Sequence, residues 1–153
     1  MFYYSNYKDN GYYNIILATS PNLCLGAALG SPVTAKVSAF PSDMPRGSIW
    51  KVENVGWAPP GAFNFQYMGG NIGPLYARFG TSPIQIAPLE QVNEEFLLYT
   101  DDVGDGLVAI NNHDRSFVMD ANGDNPVVGA KVTPWKWNGG NNQRWRFVPT
   151  TLP

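Results

Sequence analysis

The sequence predicts an all-β chain built from three copies of one strand-rich unit. Two observations lead to this prediction: a composition rich in turn residues and poor in charge, and a repeat at a fixed spacing. Only 14% of the 153 residues are charged, whereas glycine and proline number 16 and 13. This composition is typical of many short strands joined by turns. Because 44% of the residues are hydrophobic, we expect residues 1–153 to form a single domain around one core.

The repeat is clearest between the first and last thirds of the chain. Residues 35–40 (AKVSAF) recur as residues 130–135 (AKVTPW) 95 positions later, and the same spacing carries Trp50 onto Trp145. A degenerate central copy is expected halfway between them, near residue 84. We therefore place three repeats at approximately residues 11–56, 57–103 and 104–149.

Each repeat opens on a glycine followed by apolar residues at every second position, which indicates a half-buried strand. The other predicted strands lie around residues 23–25, 36–39 and 50, then 75–78, 84–87 and 96–99, then 117–120, 131–135 and 145–148. No window sustains the spacing of an amphipathic helix. Three blades are too few for a propeller, whereas a closed barrel removes sheet edges and fits the length. The sequence thus predicts a β-trefoil, in which three four-stranded repeats surround a pseudo-threefold axis.

The last repeat carries the densest polar and aromatic motif. A Q-x-W tripeptide occupies residues 143–145, directly after Asn142. Trp135 lies 7 residues before Asn142, and Asp120 lies 15 residues before Trp135. This pattern resembles the sugar-binding repeats of ricin-B-type (R-type) β-trefoil lectins, both in residue types and in spacing.

The resemblance implies a role for each residue of the motif. Asp120 would accept hydrogen bonds from sugar hydroxyls, Asn142 would touch the sugar, Gln143 would support the site, and Trp145 would belong to the core. Trp137 stands where other ricin-type repeats carry a disulfide cysteine, a feature that resembles the Euonymus-type branch of these lectins. The matching cysteine is buried, which favours the core for Trp137, although a place against the ligand stays open.

The chemistry of the motif also fits a sugar without reference to any family. A sugar presents vicinal hydroxyls and one apolar face, so its site needs a carboxylate, an amide and a flat aromatic ring. Asp120, Asn142 and Trp135 supply these groups, although Asp120 could also be a turn residue and Trp135 a large strand residue. The candidate carbohydrate-binding residues are Asp120, Trp135, Asn142, Gln143, Asn122, Asn138 and Trp137. Galactose- and mannose-type glycans are both open, because the loop at residues 122–128 would decide between them.

The first two repeats are expected to lack a working pocket. In the first, the repeat spacing places Gly47 and Ser48 where the third has Asn142 and Gln143, and Leu25 or Gly26 where it has Asp120. In the second, the amide positions fall near residues 94–95. Ala87 replaces the aromatic ring there, and Phe96 or Leu97 replaces the core tryptophan.

Composition argues against several other functions. The formal net charge is −2 and the basic residues are scattered, so a nucleic-acid partner is not expected. A single histidine, His113, in a polar turn cannot build a multi-histidine metal site. The acidic cluster at residues 101–105 lacks the spacing of an EF-hand loop and indicates a turn. Neither a cofactor nor an enzymatic activity is therefore predicted.

The single cysteine, Cys24, lies in an apolar segment and is expected to be a buried, reduced thiol. The sequence shows neither a secretion signal nor an apolar segment long enough to insert into a membrane, so we expect a cytoplasmic protein. Its expected partners are glycans or glycoproteins. One site per chain cannot cross-link cells, so agglutination would require a homodimer, for which the tyrosine-rich start (Tyr3, Tyr4, Tyr7) is a candidate contact.

One alternative function stays open at this point. Several unrelated protease inhibitors use trefoil barrels and present one exposed loop to an active site, and fold alone does not decide function. The candidate loops would be residues 40–48, with Arg46 as a basic anchor, and residues 88–94.

Overall fold

A computed structural model describes residues 10–70, 73–123 and 125–153 of the chain. Twelve strands follow one another in this part: β1 (Gly11–Leu17), β2 (Leu23–Ala28), β3 (Thr34–Ala39), β4 (Ile49–Asn54), β5 (Phe63–Tyr67), β6 (Leu75–Arg78), β7 (Gln85–Ala87), β8 (Tyr99–Asp102), β9 (Val108–Asn111), β10 (Val118–Ala121), β11 (Val132–Trp135) and β12 (Trp145–Thr150). Four strands fall within each predicted repeat. The repeat boundaries and the single domain stay predictions.

The first and fourth strands of the three groups pair antiparallel in a closed ring. Strand β1 pairs with β4 and β12, β4 with β5, β8 with β9, and β9 with β12. A bridge between Phe63 and Leu98, directly before β8, closes the last gap of the ring. These six strands form a barrel in which each strand has a neighbour on both sides.

The remaining strands form three hairpins, β2–β3, β6–β7 and β10–β11. The hairpins meet one another: Thr34 pairs with Gln85, and Lys36 with Lys131. Three hairpins packed around the axis of a six-stranded barrel make a β-trefoil, so the predicted fold is confirmed.

The barrel is filled by alternating side chains from all three groups of strands. Trp50 and Trp145 are fully buried at 0% exposure, which confirms the predicted place of Trp145 in the core. Each indole N–H donates to a backbone carbonyl, Trp50 to Leu25 at 3.0 Å and Trp145 to Met119 at 3.3 Å. Burial of one such side chain stabilises the fold by about 2–3 kcal/mol, and the hydrogen bond removes the cost of burying a polar N–H.

The middle repeat departs from the predicted pattern. Its fourth strand was expected at residues 96–99, but a single 3₁₀ turn occupies Glu94–Phe96 and β8 begins at Tyr99. The Asn93 side chain accepts a hydrogen bond from the Glu95 N–H at 2.9 Å and starts this turn. One turn of helix is too short to show any periodicity in the sequence.

The residue that replaces the core tryptophan in the middle repeat is Leu98, so the expectation of Phe96 or Leu97 is wrong. Leu98 is fully buried and lies two residues after the 3₁₀ turn. Trp145 stands in the same relation to a second 3₁₀ turn, Asn141–Gln143.

Other expectations concern single residues. Cys24 is a free, fully buried thiol, as predicted, and burial raises its pKa to about 12. His113 lies exposed in the β9–β10 turn, as expected. Tyr3, Tyr4 and Tyr7 lie outside the described residues. Within the described segments, no helix is long and apolar enough to cross a lipid bilayer.

Candidate carbohydrate-binding site

Three elements of the last repeat bring the predicted site residues together. Strands β10 and β11 pair with Asp120 opposite Thr133 and Val118 opposite Trp135. Since side chains alternate along a strand, Asp120, Thr133 and Trp135 project to the same face of this hairpin. The 3₁₀ turn Asn141–Gln143 packs against β10 and adds two amide side chains.

The Asp120 carboxylate is the centre of the arrangement. Its Oδ1 accepts a hydrogen bond from Asn142 Nδ2 at 3.2 Å, and its Oδ2 accepts one from Gln143 Nε2 at 2.8 Å. The residue is only 6% exposed. Burial raises the pKa of Asp120, and the two amide hydrogen bonds oppose that shift in part. The carboxylate is thus fixed in orientation while its remaining lone pairs stay available.

Gln143 holds this arrangement from behind. It is fully buried, and its Oε1 accepts a hydrogen bond from the backbone N–H of Asn138 at 2.8 Å. Its Nε2 donates to the backbone carbonyl of Lys136 at 2.9 Å as well as to Asp120. Gln143 therefore ties the loop after β11 to the carboxylate on β10.

An open cavity of about 340 Å³ lies over the carboxylate. Its described lining residues are Ser82, Asp120, Asn122, Gly123, Thr133, Trp135, Asn138 and Asn142. Trp135 is 59% exposed, so a broad apolar surface borders a set of amides, hydroxyls and one carboxylate.

Five of the seven predicted site residues line this cavity, and Gln143 lies directly behind it. Trp137 does not line it. The expectation that Trp137 belongs to the core is also wrong, because the residue is 44% exposed. Its indole ring instead lies under the Arg144 guanidinium, whose carbon is 5.5 Å from the ring centroid. This cation–π contact replaces core packing at the position.

Two lining side chains were missed by sequence reasoning. Thr133 lies two residues before Trp135, and strand alternation could have placed it on the same face. Ser82 belongs to the middle repeat and reaches the cavity only because the β6–β7 hairpin meets β10–β11. No local sequence signal could have indicated it.

The other repeats carry different residues at the positions of Asp120 and Asn142. Each second strand contains a fully buried residue at an equivalent position, Leu25, Ala77 or Met119, and the residues that follow these are Gly26, Arg78 and Asp120. In the first repeat a Cβ at Gly26 would collide with the Ser38 hydroxyl, so a carboxylate cannot be accommodated without rearrangement. In the middle repeat Arg78 forms an ion pair with Glu95, which stands one residue before the end of the 3₁₀ turn as Asn142 does.

Comparison with known proteins supports the resemblance over part of the chain. Residues 93–152 match the family described as ricin-type beta-trefoil lectin domain-like. This segment contains the whole Asp120–Gln143 constellation. No match was found among curated proteins, and the Euonymus-type branch stays a prediction.

Several solved structures share the fold at low sequence identity. ThreeFoil, a designed threefold-symmetric protein, gives a TM-score of 0.76 at 16% identity over 92% of this chain and 99% of that protein. A ricin B-like lectin from Macrolepiota procera, solved with lactose, gives 0.70 at 15% identity over 93% of this chain and 97% of the lectin.

A mosquitocidal holotoxin gives a TM-score of 0.77 at 16% identity over 93% of this chain, which spans only 17% of the toxin chain. At such identities the likeness establishes the fold alone. The chain is therefore a β-trefoil, and its residues 93–152 carry the sequence pattern of ricin-type lectin domains.

Proposed function

We propose that this protein is a carbohydrate-binding lectin that holds one galactose- or mannose-type residue in the third-repeat cavity. The observation that carries the proposal is the Asp120 carboxylate, fixed by Asn142 and Gln143 beside the exposed ring of Trp135. A carboxylate held in this way can accept two hydrogen bonds from neighbouring sugar hydroxyls without losing side-chain entropy on binding.

The rest of the cavity complements such a ligand. The apolar C–H face of a pyranose would lie against the Trp135 indole, which is 59% exposed. Asn142 Nδ2 donates hydrogen bonds to Asp120 and to the Ala121 carbonyl, and no described residue donates to Asn142 Oδ1. That oxygen would accept from a further sugar hydroxyl, with Asn122 and Asn138 at the rim.

We propose binding without cleavage. Asp120 is the one carboxylate among the described lining residues, whereas hydrolysis of a glycosidic bond generally uses a pair. An open, polar cavity of this size offers few contacts, so each site should bind weakly and rely on multivalent presentation. Glycoproteins are the partners that present sugars in this way.

A printed glycan array with wild-type protein and the Asp120→Asn variant tests the proposal. The substitution preserves shape but places an amide donor opposite the donors of Asn142 and Gln143, and binding should fall at least about tenfold. Asp105→Asn is the matched control, since it makes the same charge change at an exposed position outside the cavity. Asparagine also tolerates the positive φ of 59° there.

Undiminished glycan binding by a folded Asp120→Asn protein would contradict the proposed site. Inhibition assays against serine and cysteine proteases, run in parallel, test the alternative function. Arg46 has a φ of 67°, and its carbonyl accepts the Ile49 N–H at 3.1 Å. This segment is folded into a tight turn rather than extended like a peptide bound in a protease cleft.

A further inference from the structure

A second open cavity, of about 500 Å³, lies on the side of the barrel formed by the first two repeats. It is bordered by the β4–β5 connection and by the β7–β8 connection. Its described lining residues are Asn54, Val55, Gly56, Trp57, Asn64, Leu89, Glu90, Gln91, Val92, Asn93 and Phe96. None of them lines the third-repeat cavity.

An exposed tryptophan forms one wall of this cavity. Trp57 is 53% exposed, close to the 59% of Trp135 in the third repeat. It lies in a turn between β4 and β5, so the barrel core does not require its ring. Exposure of so large an apolar surface at a concave site is typical of ligand contact.

A carboxylate fixed by two donors faces the same cavity. Glu90 Oε1 accepts a hydrogen bond from Asn93 Nδ2 at 3.1 Å, and Oε2 accepts one from Arg78 Nη1 at 3.2 Å. The Glu90 side chain is nevertheless 59% exposed. It thus parallels Asp120, a carboxylate that is held by two donors and keeps its other lone pairs available.

Amide groups complete the polar part of the lining. Asn64 donates its Nδ2 to the Phe96 carbonyl at 3.0 Å, and no described residue donates to its Oδ1. Gln91 is exposed at the rim. Because the single Arg78 cation pairs with both Glu90 and Glu95, this cluster keeps a net negative charge. The lining therefore favours a neutral ligand rich in hydroxyls over an anionic one.

The backbone of the β7–β8 connection is strained at this cavity. Val92 has a φ of 58° and is 70% exposed. A β-branched residue rarely adopts this left-handed conformation, and such strain clusters at ligand-binding positions. Here it places Gln91 and Asn93 on the two sides of an exposed apolar residue at the rim.

We infer that this cavity is a second carbohydrate-binding site, which takes one neutral pyranose residue with its apolar face on Trp57 and its hydroxyls on Glu90 and Asn64. A flat ring, a fixed carboxylate and free amide oxygens are the same three groups as in the third-repeat cavity. A peptide partner would use the apolar wall but leave Glu90 and the amides without matched groups. The two sites belong to different repeats, so a single chain could bridge two glycans.

A printed glycan array tests this inference with four proteins: wild type, Trp57→Ala, Asp120→Asn and the double variant. Leu29→Ala is the matched control, because Leu29 is 48% exposed and lines neither cavity. We expect Asp120→Asn to keep a subset of the bound glycans, and Trp57→Ala to weaken that subset at least about fivefold. The double variant should lose both sets.

The outcomes separate this inference from the proposed function. Binding by Trp57→Ala that equals wild type on every glycan overturns the second site, whatever Asp120→Asn does. Loss with Trp57→Ala alone, and none with Asp120→Asn, supports the second site and overturns the third-repeat site. No glycan binding by the folded wild-type protein overturns both. Circular dichroism of each variant checks that the fold is retained.

Discussion

At the scale of the residue, the burial and hydrogen bonding of Asp120 should make glycan binding depend on pH. Burial raises its pKa above the usual value, despite the amide donors of Asn142 and Gln143. In the proposed site, the carboxylate is the form that would accept hydrogen bonds from a sugar. Binding should therefore be present above the raised pKa and be lost as the pH falls through it.

We expect glycan binding by the wild-type protein to decline at a higher pH than the value of about 3.9 typical of an exposed aspartate. Titration of binding from neutral pH down to about pH 3, with circular dichroism at each point, measures this midpoint. The raised pKa also means that ionised Asp120 lowers the free energy of unfolding as the pH rises through that window. A midpoint below the usual aspartate value, in folded protein, would contradict the burial argument.

Gln143 shows why a site residue can be predicted from sequence while its full role cannot. Its position beside Asn142 and before Trp145 is part of the motif, and the structure places its Nε2 on Asp120. Its contacts to the backbone of Lys136 and Asn138 depend on the path of the loop after β11. That path follows from tertiary packing rather than from the spacing of residue types.

At the scale of the element, the same hairpin-to-turn contact is built from different chemistry in two repeats. In the third repeat an aspartate meets two amides, whereas in the second Arg78 pairs with Glu95 and Glu90. The Arg78 side chain is only 19% exposed and its guanidinium lies 5.2 Å from the centroid of the Phe96 ring. This ion pair should therefore connect β6 to the 3₁₀ turn and stabilise the middle repeat.

A double-mutant cycle measures that contribution. Arg78→Ala and Glu95→Ala should each destabilise the protein, and their interaction energy in urea unfolding should be about 1 kcal/mol. The matched control is the pair Lys51–Glu53, in which Lys51 Nζ lies 3.5 Å from Glu53 Oε1. These two side chains are 34% and 44% exposed. That pair should give less than about 0.5 kcal/mol. Additive effects of Arg78 and Glu95 would show that the contact is energetically neutral.

The strands themselves were largely predictable. Alternation after a glycine located the first strand of each repeat, and the AKV segments located β3 and β11. The middle repeat was harder because it has neither the tryptophan nor the glutamine of the third. Leu98 takes the place of that tryptophan through packing alone. The sequence around it contains several apolar residues, and the pattern does not distinguish which of them occupies the core position.

At the scale of the whole molecule, the barrel positions groups from separate repeats around each cavity. Ser82 reaches the third-repeat cavity from the middle repeat, and the cavity at Trp57 is lined both by Asn54 of the first repeat and by Glu90 of the middle repeat. Such contributions depend on the threefold closure of the chain, so they are invisible until the hairpins are assembled. The sequence motif of the third repeat therefore predicts the residues around its cavity, whereas no sequence motif predicts the cavity at Trp57.

Two separate sites would also change the expected need for oligomerisation. With one site per chain, cross-linking requires a homodimer, which stays a prediction of the sequence. With sites at both Trp57 and Trp135, a monomer could link two glycans through the rigid barrel.

Locating the bound ligand tests whether the third-repeat cavity binds a sugar, as proposed. Proton–nitrogen correlation spectra of the labelled protein can be recorded during titration with lactose and with methyl mannoside. We expect one of these ligands to cause saturable shifts in the indole N–H of Trp135 and in the side-chain amides of Asn138 and Asn142. Saturable shifts that leave all three of these groups unperturbed would contradict sugar binding in this cavity.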